Sequence, residues 1–225
     1  MKNRKEALLI LVCGMSIAAL TACGSSKAQS PAQSTEDLQQ EQSLTGVVLD
    51  AAMHSMVIQT KDGQTLELKM AEDGINSDKL KDGILLGNGV TISYTGTIDG
   101  TDTSNATVTA AADLATKADD SDALSAAGSV ILSLENQDYD TFVSMCSFPL
   151  YVGSGAGETI NDEKTLREKY PMDKLFTTKL IEAVTHVDLL DLEKTEAGLV
   201  LSGAEGKPNV ILSQVNDKWL ITGIN

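Results

Sequence analysis

Apolar and polar residues alternate through the segment from residue 44 to residue 111, and this pattern predicts a small β module. Residues 65–70 read TLELKM, with every second residue apolar, and a period of two is typical of a strand with one buried face. Asp62-Gly63 just before it favours a tight hairpin, because glycine adopts positive φ at little cost. The predicted strands are residues 44–49, 54–60, 64–70, 89–98 and 105–111, with a short helical or turn piece after the third.

The pattern changes after residue 122, where apolar residues recur at intervals of three and four. Leu124, Ala127 and Ile131 follow this spacing and predict an amphipathic helix. The other predicted elements are helices within residues 139–146, 161–170 and 172–186, two strands around a glycine loop in 148–160, and closing strands in VDLLDLEK, GLVLSG, NVILSQV and KWLITGIN. Helices followed by antiparallel strands indicate an α+β domain.

The N-terminal residues have the pattern of an export signal. Lys2, Arg4 and Lys5 precede an apolar stretch, residues 7–20, which is too short for a spanning helix. The next residues read LTACG, and they resemble the lipobox of bacterial lipoproteins. In that family the cysteine, here Cys23, carries a diacylglyceryl group and the signal is cut before it, so the resemblance implies stable anchoring by two acyl chains. An ordinary secretory signal with a chance cysteine is the alternative.

Two further resemblances concern the folded modules. Five strands with an insert after the third resemble the OB fold, a small Greek-key barrel. The segment from residue 122 to residue 225, above all its closing stretch NVILSQVNDKWLITGIN, resembles the NTF2-like (SnoaL/cystatin-type) superfamily, in which helices and a curved sheet form a cone. Many exported lipoproteins of Gram-positive bacteria carry such modules. The predicted fold is therefore α+β, with a small five-stranded OB-like barrel followed by an NTF2-like cone.

The chain is expected to have five parts. A Ser- and Gln-rich composition without apolar periodicity predicts a flexible tether between the signal and the first module. The parts are a lipoprotein signal peptide at 1–22, the lipidated cysteine and disordered tether at 23–42, the OB-like module at 43–112, a linker at 113–121 and the NTF2-like domain at 122–225.

Charge and aromatic content exclude nucleic acid as a partner. The formal net charge is −15, which disfavours binding to phosphate backbones and to anionic lipid headgroups. OB folds that bind nucleic acid present stacking aromatic residues in a basic groove, whereas Tyr94 is the only aromatic residue of the first module.

Few residue types that could carry catalysis are present. The only histidines are His54 and His186, and Cys146 lies among apolar residues, where a small buried side chain is expected. The sequence contains no phosphate loop, HExxH, CxxC, nucleophile elbow or EF-hand calcium loop. We therefore predict no catalytic residues, no metal and no cofactor.

Residues 90–100, VTISYTGTIDG, are similar to a strand-turn signature of the immunophilin peptidyl-prolyl isomerases. In that family an aromatic residue just after the turn, a tryptophan floor and an Ile-Pro segment complete the pocket, whereas residues 101–115 here contain no aromatic residue and no proline. A hairpin that turns at Asp99-Gly100 is the preferred interpretation, and isomerase activity is the less favoured alternative.

The leading functional prediction is a non-catalytic lipoprotein of the cell envelope, anchored on the extracytoplasmic side of the membrane, that binds a ligand or a protein partner. Seven of the eight aromatic residues follow residue 122, so a site for an apolar ligand is expected in the cone. The predicted ligand-binding residues are Tyr139, Tyr151 and Trp219.

Two alternatives remain open at this level. One is a hydrolase or isomerase of the cone that uses Asp188 or Asp191, with His186, Tyr139 or Tyr151 as the accompanying candidates. The other is a structural spacer without a binding site. A buried carboxyl group with a strongly raised pKa would favour the enzyme, and a solvent-facing one would count against it.

Overall fold

The computed structural model describes residues 41–153 and 157–225, which belong to one compact unit. The predictions for the signal peptide, Cys23 and the tether up to residue 40 lie outside the described residues. The fold is α+β, with a closed five-stranded barrel followed by a second sheet and short helices. The division into modules at residues 43–112 and 122–225 stays a prediction.

Five of the six strands of the first module agree with the strands predicted from the sequence. They are β1 (Gln42–Ala51), β2 (Ser55–Thr60), β3 (Thr65–Met70), β4 (Asn76–Lys79), β5 (Gly89–Asp99) and β6 (Asp102–Leu114). β1 pairs with β2 and β5, and β2 pairs with β3. β5 pairs with β6, and a parallel pairing of β3 with β6 closes the barrel. Met56, Ile58, Leu68 and Ile92 fill its interior.

The insert between β3 and β5 departs from the prediction of a helical or turn piece. It contains the strand β4, whose residues are all exposed and pair in parallel with Ala110–Ala112 of β6. β3 pairs with β6 only at Thr107 and Val108. The later residues of β6 therefore leave backbone groups that β4 satisfies.

The second part contains five helices and five strands among the described residues. They are α1 (Ser121–Glu135), α2 (Tyr139–Ser144), β7 (Cys146–Val152), β8 (Glu158–Ile160), α3 (Glu163–Lys169), α4 (Met172–Leu175), α5 (Thr178–Thr185), β9 (Leu199–Ser202), β10 (Asn209–Val215) and β11 (Lys218–Ile224). The sheet order is β8-β7-β11-β10-β9, with β7 parallel to β11. Asp120, Asp138, Asp162 and Thr177 cap the starts of α1, α2, α3 and α5.

The prediction of a strand at VDLLDLEK is wrong. A carboxylate oxygen of Asp188 accepts hydrogen bonds from the amides of Leu190 (2.9 Å) and Asp191 (3.3 Å). This arrangement is an Asx-type turn, in which the side chain replaces a strand partner.

The helices of the second part pack directly on the barrel. Val47 and Leu49 of β1 point out of the barrel and belong to the same buried cluster as α1. Three glycines permit this close approach, because a Cβ atom would lie 2.6 Å from His186 Cα at Gly63, 1.9 Å from a backbone oxygen at Gly87, and 2.8 Å from Leu49 Cδ2 at Gly128.

Candidate functional site

An open groove of about 560 Å³ lies between α5 and the turn that joins β9 to β10. Lys179, Glu182 and Ala183 line it from α5. The opposite wall and one end are formed by Gly203, Ala204, Glu205, Lys207, Pro208 and Asn225. We call this feature the α5 groove.

The positions of the α5 wall follow from the helix itself. Thr177 accepts a hydrogen bond from the Leu180 amide (3.2 Å) and so caps the first turn. Leu180 and Val184 are buried in the core, and this orients the helix. Residues three and four apart share a helix face, so Lys179, Glu182 and Ala183 meet on the side that faces the groove.

Hydrogen bonds around two asparagines shape the opposite wall. The Gly206 amide donates to the Gly203 carbonyl (2.9 Å), and Asn209 Nδ2 donates to the Gly206 carbonyl (2.6 Å). Asn225 is joined to Asn209 by two backbone hydrogen bonds and by its side-chain amide (2.9 Å). The turn therefore holds Glu205 and Lys207 on the rim.

Four charged side chains line the α5 groove, two on each wall. Lys179 and Glu182 come from the helix, and Glu205 and Lys207 come from the turn. Within the described residues, none of the four belongs to an ion pair of 4.0 Å or less. The fold thus leaves both signs of charge available on the groove surface.

A smaller cavity of about 110 Å³ adjoins the α5 groove and shares Pro208 and Asn225 with it. Its apolar lining consists of Val152, Leu175, Leu180 and Ile224, and its other lining residues are Tyr170, Lys174 and Thr177. We call it the apolar cavity. Together, the two features offer a short aliphatic pocket beside a charged groove.

Tyr170 is held in place at the apolar cavity by two neighbours. Its hydroxyl donates to Glu158 Oε1 (3.0 Å), and its carbonyl accepts from the Tyr139 hydroxyl (2.6 Å). Hydrogen bonds from Lys169 and then Tyr170 lower the pKa of the Glu158 carboxyl. Glu158 therefore stays ionised and keeps the tyrosine oriented.

The three predicted ligand-binding residues do not lie in one place. Tyr139 is partly buried among the helices, and it is not a lining residue of the apolar cavity, although its hydroxyl donates to the Tyr170 carbonyl. Tyr151 is 46% exposed and lies on the sheet face opposite Val152, because neighbouring strand residues point to opposite sides. Trp219 lies near the other end of β11 from Ile224, about 17 Å away along the strand.

The acid–base candidates of the sequence have structural partners. Asp188 closes the turn described above, and Asp191 is exposed and lies 3.3 Å from Lys117 Nζ. His186 ends α5, with Nδ1 at 3.1 Å from the Glu182 carbonyl oxygen and 3.2 Å from Thr185 Oγ1.

Cys146 is buried, and its Sγ lies 3.6 Å from the Phe142 carbonyl oxygen. Burial raises the pKa of its thiol to about 12. The reactive thiolate is therefore scarce near neutral pH, and the thiol serves as part of the core.

Sequence reasoning missed the charged lining of the α5 groove. The spacing of Lys179 and Glu182 was a readable signal, since it places both on one helix face. Nothing local in the sequence indicates that Glu205 and Lys207 lie across from them, because that proximity depends on how the sheet packs against the helix.

The chain matches no family model, no curated protein and no solved structure. Within the described ranges, no helix is long and apolar enough to span a bilayer. The same ranges hold no group of three or more His, Cys, Asp or Glu side chains arranged to bind a metal ion.

Proposed function

We propose that the protein is a non-catalytic lipoprotein of the cell envelope, anchored through Cys23, that binds a ligand or partner in the α5 groove. The observation that carries the proposal is the set of four groove charges without an ion-pair partner in the described residues. Surface charges that serve no internal contact are free to meet a ligand, and a pocket with a few polar groups is the usual form of a binding site.

The proposal includes the finer fold assignments. Support for an OB-like barrel comes from the strand order, with β1 between β2 and β5 and with β3 parallel to β6. Support for an NTF2-like second part comes from its combination of helices with a five-stranded sheet whose central strands are β7, β11 and β10. A fold of either kind hosts many functions, so the support for a binding role comes from the lining of the α5 groove.

In this proposal the barrel is a platform for the second part. OB folds bind oligomers across the face of their second and third strands. Here Val57 of β2 packs against the core of the second part, and Gln59 of β2 is buried and bonded to α5. That face is therefore partly covered, which favours the α5 groove as the ligand site.

The enzyme alternative has less support. Asp188 is occupied in a turn and Asp191 is solvent-exposed and paired, so neither has the buried, unpaired setting that is typical of a catalytic carboxyl.

Thermal unfolding of the full chain with wall fragments, divalent metals and apolar metabolites tests the proposal. A ligand at about 100 times its dissociation constant adds about 2.7 kcal/mol to the stability of the folded state. We expect one compound class to raise the Tm of the wild type and of a control variant, Lys218→Gln, by more than it raises the Tm of Lys179→Gln or Lys207→Gln. A shift that is undiminished in both groove variants and reduced in Trp219→Leu would move the site to the other end of β11. Absence of a Tm shift with every compound would favour the alternative of a structural spacer without a binding site.

A further inference from the structure

The charges of the α5 groove indicate the class of ligand that it accepts. We propose that the groove binds a short peptide segment that carries one acidic and one basic group and places a small aliphatic side chain in the apolar cavity. The inference rests on the proposed function, because it specifies the ligand of that same site.

The first argument is the balance of charge. Each wall carries one lysine and one glutamate, Lys179 with Glu182 and Lys207 with Glu205. A simple anion would meet as many carboxylates as ammonium groups, and so would a simple cation. A ligand that carries one acidic and one basic group can place the acidic group against a groove lysine and the basic group against a groove glutamate. This avoids like charges in contact, which are costly.

The second argument is size. A volume of about 560 Å³ lies within the range of small-molecule sites, roughly 300–1,000 Å³. The four charges are distributed over two separate walls, whereas the ammonium and carboxylate of a free amino acid sit on one carbon atom. A segment of a few residues spans the walls, and the small lining residues Ala183, Gly203 and Ala204 let its backbone approach closely.

The third argument comes from the composition of the lining. Quaternary ammonium headgroups of zwitterionic lipids are recognised by aromatic cages, and the lining residues of the α5 groove include no aromatic side chain. The adjoining apolar cavity, of about 110 Å³, is lined by Val152, Leu175, Leu180 and Ile224. It accommodates a side chain of alanine or valine size, which a peptide supplies.

Binding of blocked tetrapeptides to the full chain, measured by calorimetry, tests the inference. The probes are acetyl-Lys-Val-Ala-Glu-amide, its reversed-charge partner acetyl-Glu-Val-Ala-Lys-amide, and the neutral acetyl-Gln-Val-Ala-Gln-amide. At least one mixed-charge peptide should bind about tenfold more tightly than the neutral one, since each exposed ion pair contributes about three- to fivefold. Lys207→Gln and Glu182→Gln should each lower the affinity for that peptide by about three- to fivefold. Lys218→Gln should leave the affinity unchanged.

Three outcomes would overturn the inference: no binding by any of the three peptides, equal affinity for the neutral peptide, or equal affinity for glutarate alone. If no peptide binds, or if glutarate binds equally well, the thermal unfolding panel shows whether the proposed function fails too. If a compound of the thermal panel still depends on Lys207, the α5 groove is a binding site for a different ligand and only the peptide inference fails. If no compound depends on Lys207, both fail.

Discussion

Gln59 of the barrel donates a hydrogen bond from Nε2 to the main-chain carbonyl of Thr185 on α5, over 2.8 Å. The glutamine is only 1% exposed. The bond therefore joins the barrel to the helix that forms one wall of the α5 groove, in a place from which water is excluded.

Loss of this bond should destabilise the fold. In Gln59→Ala the Thr185 carbonyl loses a buried donor, but the unpaired Gln59 Oε1 is removed as well, so the expected loss is that of one net hydrogen bond, about 0.5–1.5 kcal/mol. Urea unfolding measures the change. The matched control is Gln64→Ala, since Gln64 is exposed in the neighbouring turn and its removal should change stability by less than about 0.5 kcal/mol. Equal stability of the two variants would show that the bond makes no contribution.

Gly63 and Gly74 allow the docking of the barrel to be separated from backbone strain. Both have positive φ, +73° and +89°, so alanine costs about 1–2 kcal/mol at either position. Only Gly63 faces a neighbour, since a Cβ atom there would lie 2.6 Å from His186 Cα, whereas a Cβ atom at Gly74 would meet nothing within 4 Å. Gly63→Ala should therefore lose about 1–3 kcal/mol more than Gly74→Ala in urea unfolding. Similar losses of unfolding free energy in the two variants would mean that the hairpin at Gly63 does not pack closely against His186.

Stability should fall at alkaline pH because of Cys146. Its folded-state pKa of about 12 exceeds the ordinary value of 9.0, so the unfolded chain releases this proton at lower pH than the folded chain. The stabilisation is complete below about pH 9 and is lost as pH rises toward 12, with a slope of at most about 1.4 kcal/mol per pH unit. Comparison of unfolding free energies of wild type and Cys146→Ala from pH 8 to 11 isolates this slope. Identical pH profiles would contradict the burial of the thiol.

The proposed lipid anchor depends on a single cysteine, Cys23. Cys23→Ala should release the protein into the medium or leave its signal uncut, because the two acyl chains that provide stable anchoring are lost. Cell fractionation with immunoblotting measures the distribution. Cys13→Ala is the matched control and should remain in the membrane fraction. Full membrane retention of Cys23→Ala with its signal removed as in the wild type would refute lipidation.

Local patterns account for the barrel strands. The alternation of Leu66 and Leu68 with polar neighbours predicts β3, and Asp62-Gly63 predicts the turn before it, because each signal depends only on residues close in the chain. The same reasoning fails at VDLLDLEK, where Val187 and Leu189 are buried as in a strand. There, Asp188 satisfies backbone amides by itself, so no strand partner is needed.

The candidate site was less accessible to sequence reasoning. Aromatic content predicted Tyr139, Tyr151 and Trp219 as ligand-binding residues. Whether these side chains lie together depends on the side of the sheet and the end of the strand that each occupies, and local sequence does not give either. The groove charges Lys179 and Lys207 are distant in the chain and come together only through packing.

The sequence by itself determined the strands β1, β2, β3, β5 and β6, the helix α1 and the acidic character of the chain, since these follow from neighbouring residues and composition. Only the tertiary structure decided that β4 completes the edge of β6, that α1 and α5 cover one face of the barrel, and that the two charged walls face each other. Those arrangements depend on contacts between segments far apart in the chain, where burial and close approach at a few glycines select the packing.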